Sequence, residues 1–183
     1  VAALDDTGSA YYQRIKNGWK LEPRQLATLI AVSNWRERTA RERDRPRNWI
    51  IDDRACLALA VQAPENKATL QQLELPPAVV RRHADELLAL LLEIRELEQG
   101  ALPDRLPAPL NAAGREQLKK LKRRGRELAS ELAVAQEIVL PARDYELLLR
   151  EARGEAVAPP RHWSGWRERR VIAPLRQFLG GAR

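Results

Sequence analysis

The apolar positions of this chain recur at helical rather than strand spacing. Pro23 stands where a first turn would begin, and Leu26, Leu29, Ile30, Ser33 and Ala40 then share one face. Trp35 falls on the side opposite Leu26, so this helix has apolar groups on two sides and is expected to be central, covered by neighbours both ways. Pro46 disfavours helical geometry at Arg45, which predicts a helix over 23–45. Asp52 is placed to cap a helix over 53–62, and Pro64 stops it. A short helix fits 67–73. Ala84, Leu87, Leu88, Leu91 and Ile94 stripe another that starts at Pro76-Pro77 and ends near Gly100.

The stretch "GALPDRLPAPLNAAG" has three prolines, two glycines and no apolar period, so it reads as a semi-rigid linker. Beyond it, Leu118, Leu121, Gly125, Leu128, Ala129 and Leu132 form one face of a long helix from about Arg115. Gly125 falls inside that stripe, where it costs about 1 kcal/mol of helix propensity; a packing reason is expected, namely close approach of another helix. Pro141 interrupts, a helix over 142–153 follows, "GEAVAPPRHWSG" forms a loop, and a last helix covers 166–179. The strand-like triplets Trp49-Ile50-Ile51 and Ile138-Val139-Leu140 are too brief to build a sheet. The expected fold is all-α: two small helical-bundle modules, 19–98 and 113–183, with a lead-in over 1–18 and a Pro-rich linker over 99–112.

Composition narrows the function. With 44% hydrophobic and 31% charged residues the chain suits a soluble globular protein, and with 5% aromatics its cores must be mostly Leu, Ala, Val and Ile. The net charge of +7 points to an anionic partner, nucleic acid first, the bland alternative being a basic protein that binds nothing acidic. A single cysteine, Cys56, excludes an intrachain disulfide framework and fits a reducing, cytoplasmic setting. Two widely separated histidines give no metal-ligand spacing. The longest apolar run, 55–61, is far short of a membrane span, so no membrane partner is expected. No methionine occurs, even at position 1, which is read as the mark of a piece of a longer protein.

The search for catalytic groups finds little. Asp5-Asp6 and Asp52-Asp53 are sequence neighbours that rarely aim at one centre, and Asp52-Asp53 is better explained by capping. His83 and His162 have no evident nucleophile or orienting partner, and Cys56 reads as a small core residue. No Gly-rich phosphate loop follows a strand.

The basic segments are more informative. Arg36, Arg38, Arg41, Arg43, Arg45 and Arg47 are interleaved with Glu37, Glu42 and Asp44, and on a helix they spread around much of the circumference. Some of them must therefore be ion-paired or structural. In "REQLKKLKRRGR", by contrast, Arg115, Lys119, Lys122, Arg123 and Arg126 fall on one broad face away from the apolar stripe, with Lys120 and Arg124 further round. Only Glu116 offsets these seven charges within the run, and phosphates would relieve their mutual repulsion.

"LEPRQLATLIAVSNWRERTARERDRPRNWIIDDRACLALAVQAP" followed by "LQQLELPPAVVRRHADELLALL" resembles the HRDC (helicase and RNase D C-terminal) domain in its ribonuclease D version. The match runs through Leu26, Leu29, Trp35-Arg36-Glu37, Ala40, Arg43-Asp44, Pro46-Arg47-Asn48, Asp53, Leu57, Ala60 and Pro64, over about 21–97. "AYYQRIKNGWKL" resembles the segment leading out of that family's exonuclease domain, and the second half resembles its divergent second HRDC module. "WRER" occurs at both Trp35 and Trp166, deep inside one helix and at the start of another.

The resemblance implies a parent enzyme that trims RNA, including tRNA precursors, from the 3′ end with two divalent metal ions. Those ions and the catalytic groups belong to a domain that this sequence does not contain. Neither an Asp-x-Glu on a strand nor a Tyr-x-x-x-Asp carries over, and Tyr11, Tyr12 and Tyr145 lack the required context. The expected role is an RNA-binding tail without cofactors of its own, with structured RNA and the same parent's exonuclease domain as partners. An exposed Trp49 or Trp35 would add base stacking, burial being the commoner fate for Trp35. The alternatives are a protein-interaction module whose charge keeps it soluble, and the tail of a RecQ-type helicase. Two adjacent HRDC-like modules and "YYQRIKNGW" argue against the helicase.

Overall fold

The computed structural model describes residues 10–181. Helices dominate, and among the described residues no strand forms. The chain divides into two compact units between Pro109 and Leu110.

The first unit is built on α1 (Pro23–Glu42), which Pro23 and a hydrogen bond from the Glu22 N–H to Gln25 Oε1 start. Its two apolar sides are both used. Leu26, Leu29, Val32 and Trp35 enter the main core, while Ala27 and Ala31 meet Ile94, Leu97 and Leu102. α1 ends at Glu42, three residues before the position that Pro46 marked. Asp44 turns left-handed there (φ 48°), so that the Arg45 N–H reaches Ala40 O and the Asp44 N–H reaches Arg41 O. A one-turn helix α2 (Arg47–Ile50) follows, then α3 (Asp53–Gln62), α4 (Lys67–Gln71) and α5 (Pro77–Arg95). Asp52 Oδ1 accepts from the Ala55 N–H at 2.8 Å, which is the cap read from the sequence. α5 stops at Arg95, short of Gly100. The Arg24 guanidinium donates to the carbonyls of Ile94, Arg95 and Leu97 and thereby satisfies the helix end. Of the lead-in, residues 10–18 pack on this unit: Ile15 is buried and Tyr12 lies against the core.

The second unit contains α6 (Ala112–Glu131), α7 (Gln136–Val139) and α8 (Asp144–Ala152). The last helix opens at Trp166 with a π turn (Glu168–Ile172) that runs into α9 (Ala173–Gly180). Pro174 has no N–H to offer the usual carbonyl, and the widened turn lets Ala173 donate to Glu168 O instead. α6 begins at Ala112 rather than Arg115, because Asn111 Oδ1 accepts from the Gly114 N–H at 2.8 Å. Asn111 is thus a helix cap and not part of a linker. The rest of the stretch read as linker is anchored too: Leu102 and Leu106 pack on the first unit, Leu110 on the second.

Gly125 has the packing reason its position demanded. A Cβ there would stand 2.6 Å from Tyr145 Cζ, so the Tyr145 ring occupies the space a side chain would take. The first two residues of each strand-like triplet are helical, Trp49-Ile50 in α2 and Ile138-Val139 in α7, while Ile51 and Leu140 are extended.

Candidate nucleic-acid interface

The strip on α6 is the larger candidate. Leu121, Gly125 and Leu128 turn one face of the helix into the core, which forces the polar positions outward. Arg115, Lys119, Arg123 and Arg126 are exposed and Lys122 is half-buried. Arg115, Lys119, Arg123 and Arg126 follow one another at steps of four, four and three, with Lys122 beside them, so their charges form a continuous band about 16 Å long. Lys119, Lys122 and Arg123 have no ion pair or side-chain hydrogen bond among the described residues. Arg115 Nη1 donates to Leu110 O at 2.8 Å, which orients it beside the helix start. Arg126 acts on Tyr145: burial pushes the Tyr145 phenol up, and the nearby Arg126 charge partly opposes this.

Arg124 leaves the band. It pairs with Glu127 at 3.2 Å and Glu131 at 2.9 Å, on the same flank as Lys120. The polar surface of α6 is therefore split into a basic side, with Glu116 at its edge, and a mixed side. Lys120 is exposed on the mixed side.

The arginines of 36–47 are divided by the fold in a way their spacing only foreshadowed. Arg36 is fully buried. It donates to Asp53 Oδ1 at 2.9 Å and to Ile51 O at 3.3 Å, and its guanidinium lies 5.4 Å from the Tyr11 ring centroid. It is a core residue and cannot meet a phosphate, which corrects its inclusion among the candidate contacts. The adjacent carboxylates thus have separate jobs, Asp52 as cap and Asp53 as counter-charge.

Arg38 pairs with Glu86 at 3.2 Å, and Arg43 lies 2.7 Å from His83 Nε2. His83 Nδ1 in turn meets Glu86 Oε2 at 2.8 Å, with its ring edge-on to Trp35 at 5.4 Å. Burial would raise the Glu86 carboxyl pKa, but the Trp35 indole, His83 and Arg38 outweigh it and hold the value below that of a free glutamate. Arg47 forms an ion pair with Glu37 at 2.9 Å and sits 3.9 Å over the Tyr11 ring.

Arg41 and Arg45 remain. Both are exposed and have no side-chain partner among the described residues. With Arg47, Asn48 and Trp49 they line an open cleft of about 610 Å³ at the α1–α2 junction. Trp49 is 70% exposed because Ile50 and Ile51 take the inward positions of that turn. Trp35, the other tryptophan considered for stacking, is 1% exposed and belongs to the core. The second candidate is accordingly one aromatic face with two unpaired guanidinium groups, far smaller than six arginines in a row suggest.

The remaining chemistry-bearing groups are structural. The Cys56 thiol is fully buried, and desolvation pushes its pKa up to about 12, so it carries no thiolate at neutral pH. His162 contacts Asp144 Oδ2, which also accepts from Trp163 Nε1 at 2.8 Å; this ties the loop to the start of α8. Among the described residues no three His, Cys, Asp or Glu side chains converge as metal ligands would. Likewise, no helix among them is long and apolar enough to cross a membrane. Sequence reasoning missed the exposed pairing of Trp166 with Arg169 and Arg170, although "WRERR" shows an aromatic one helical turn from two charges.

Comparison with known proteins agrees with this architecture. Residues 25–91 match the HRDC domain family. The chain is 37% identical over 175 residues to ribonuclease D of Pseudomonas paraeruginosa and 34% identical over 173 residues to that of Serratia proteamaculans. Each match takes in 93% of this chain and 46% of the relative, so the chain spans about half the length of the proteins it resembles. The crystal structure of Escherichia coli RNase D, described as an exoribonuclease involved in structured RNA processing, superposes with a TM-score of 0.71 at 28% identity. The match covers 99% of this chain and 48% of that one. The similarity is to the C-terminal region of ribonuclease D.

Proposed function

We propose that this chain is the RNA-holding C-terminal region of a ribonuclease D-like 3′-5′ exoribonuclease and has no nuclease chemistry of its own. In this reading it holds structured RNA, tRNA precursors in the cytoplasm above all, for an exonuclease domain of the same parent that supplies two divalent metal ions. The observation that carries the reading is the unpaired basic band on α6. Lys119, Lys122 and Arg123 are not committed to acids, whereas Arg124 on the same helix is. A phosphate backbone is a line of charge, and only groups on one surface can follow it. Phosphate contacts of this kind position RNA without reading its sequence.

The test is a set of RNA-binding isotherms at several salt concentrations. If about five phosphates are contacted, log affinity falls against log salt with a slope of about −3.5 for single strands. Replacing Lys119, Lys122 and Arg123 together by Ala is expected to weaken binding and lower the slope by about one per lost contact. Unchanged binding by that variant, or no binding by the unmodified chain at low salt, would favour a protein-interaction module. RNA incubated with the chain and Mg²⁺ or Mn²⁺ is expected to stay intact; 3′ trimming that copurifies through several columns would refute the tail reading.

A further inference from the structure

Resting on the RNA reading, we propose that the second unit holds an unpaired nucleotide at Trp166, with Arg169 and Arg170 on the flanking phosphates. Trp166 is 40% exposed at the opening of the last helix, although the core of its own unit lies close by with Val171, Ile172 and Leu175 fully buried. Its ring is held in place. Arg167 lies 4.7 Å over it and is itself fixed by two hydrogen bonds to Ile138 O, from Nε at 3.3 Å and Nη2 at 3.0 Å. The indole is thus oriented before any ligand arrives, and little conformational freedom remains to be lost on binding.

The charges around it are sorted. Glu168 is committed to Arg176 at 2.7 Å, so the one acid of "WRERR" is neutralised within the unit. Arg169 and Arg170 are exposed and have no side-chain partner among the described residues. They follow Trp166 by three and four residues, about one turn further along the same helix. The π turn Glu168–Ile172 falls on these residues and widens the helix beneath them. A rigid aromatic plate with two free guanidinium groups within reach matches an unpaired base and its neighbouring phosphates. A duplex keeps its base faces stacked and would gain only the charge contacts. The cleft at Trp49 repeats the combination with Arg41 and Arg45.

The experiment uses the 183-residue chain, an oligouridine of about a dozen nucleotides and an RNA duplex of the same length, with affinities measured by fluorescence anisotropy at low salt. Trp166→Ala is expected to weaken oligouridine binding about fivefold or more while duplex binding stays within about twofold. Trp166→Phe should recover most of the loss. The Arg169→Ala, Arg170→Ala double variant, which leaves the plate intact, should lower the oligouridine salt slope by about 1.4. Equal losses on both ligands would reduce Trp166 to a support for phosphate contacts and overturn the proposal. So would unchanged binding of both, which would leave the patch to a protein partner. The α6 triple variant separates the two levels. If it weakens binding while Trp166→Ala does not, only the nucleotide site fails; if the unmodified chain binds neither RNA, the RNA reading fails and this site with it.

Discussion

The tetrapeptide Trp-Arg-Glu-Arg occurs twice, and the fold treats the two copies in opposite ways. At residues 35–38 the tryptophan is 1% exposed and the first arginine fully buried against Asp53. At 166–169 the tryptophan is 40% exposed, and the first arginine lies over its ring while bonding a backbone carbonyl. One feature is shared: the glutamate of each copy is held by a later arginine, Glu37 by Arg47 and Glu168 by Arg176. The difference lies in what covers each helix. α1 has α3 and α5 packed on it, whereas Trp166 opens a helix at the surface. The tryptophan and the second arginine thus stay at the surface in one copy, while the tryptophan and the first arginine are buried in the other, which makes local composition a poor guide to where RNA would bind.

The comparison breaks first, and most visibly, at the tryptophans. Trp35→Ala is expected to cost about 4 kcal/mol, as for other fully buried aromatics, whereas Trp166→Ala should cost clearly less in urea unfolding, about half as much or under. Comparable losses would mean that Trp166 is also a core residue.

Next in size is the buried ion pair. Asp53→Ala leaves the interior Arg36 guanidinium without its counter-charge and is expected to cost about 3 kcal/mol. Arg167→Ala removes only a half-buried group and should be nearly silent in melting experiments.

A smaller effect is expected within the second unit, at Gly125. Alanine gains about 1 kcal/mol of helix propensity there but drives a methyl group into the Tyr145 ring, at about 1–3 kcal/mol for overpacking. A net loss of stability is expected; a gain would show that the ring moves aside freely.

The smallest effect is a pH dependence confined to the first copy. The Glu86 pKa is depressed in the fold, so its contribution is present in full above the 4.5 of free glutamate and is lost as pH falls through the folded value. Glu86→Gln should flatten the acid side of the stability profile below that point. Urea unfolding of both forms between neutral and acidic pH checks it.

Much of the architecture was legible because short-range physics sets it. Helical periodicity over 26–40 and 118–132, the Asp52 cap and the oddity of Gly125 each follow from groups within a turn or two of one another. Helix ends were less legible. Asp44 in the left-handed region, Arg24 reaching the end of α5 and Asn111 capping α6 depend on particular hydrogen bonds that residue type alone does not announce.

The chain by itself determined that there would be two helical units, that one face of α6 would be basic, and that not all arginines of 36–47 could be free. The tertiary structure alone decided which ones: Arg36 sank into the core with Asp53, Arg38 and Arg43 joined Glu86 and His83, and Arg41 and Arg45 stayed outside. The reason is that the environment of a charged side chain depends on partners far along the chain, 17 residues away for Arg36 and 48 for Arg38. Periodicity sees only the helix a residue sits on; exposure depends on what the rest of the fold lays against that helix.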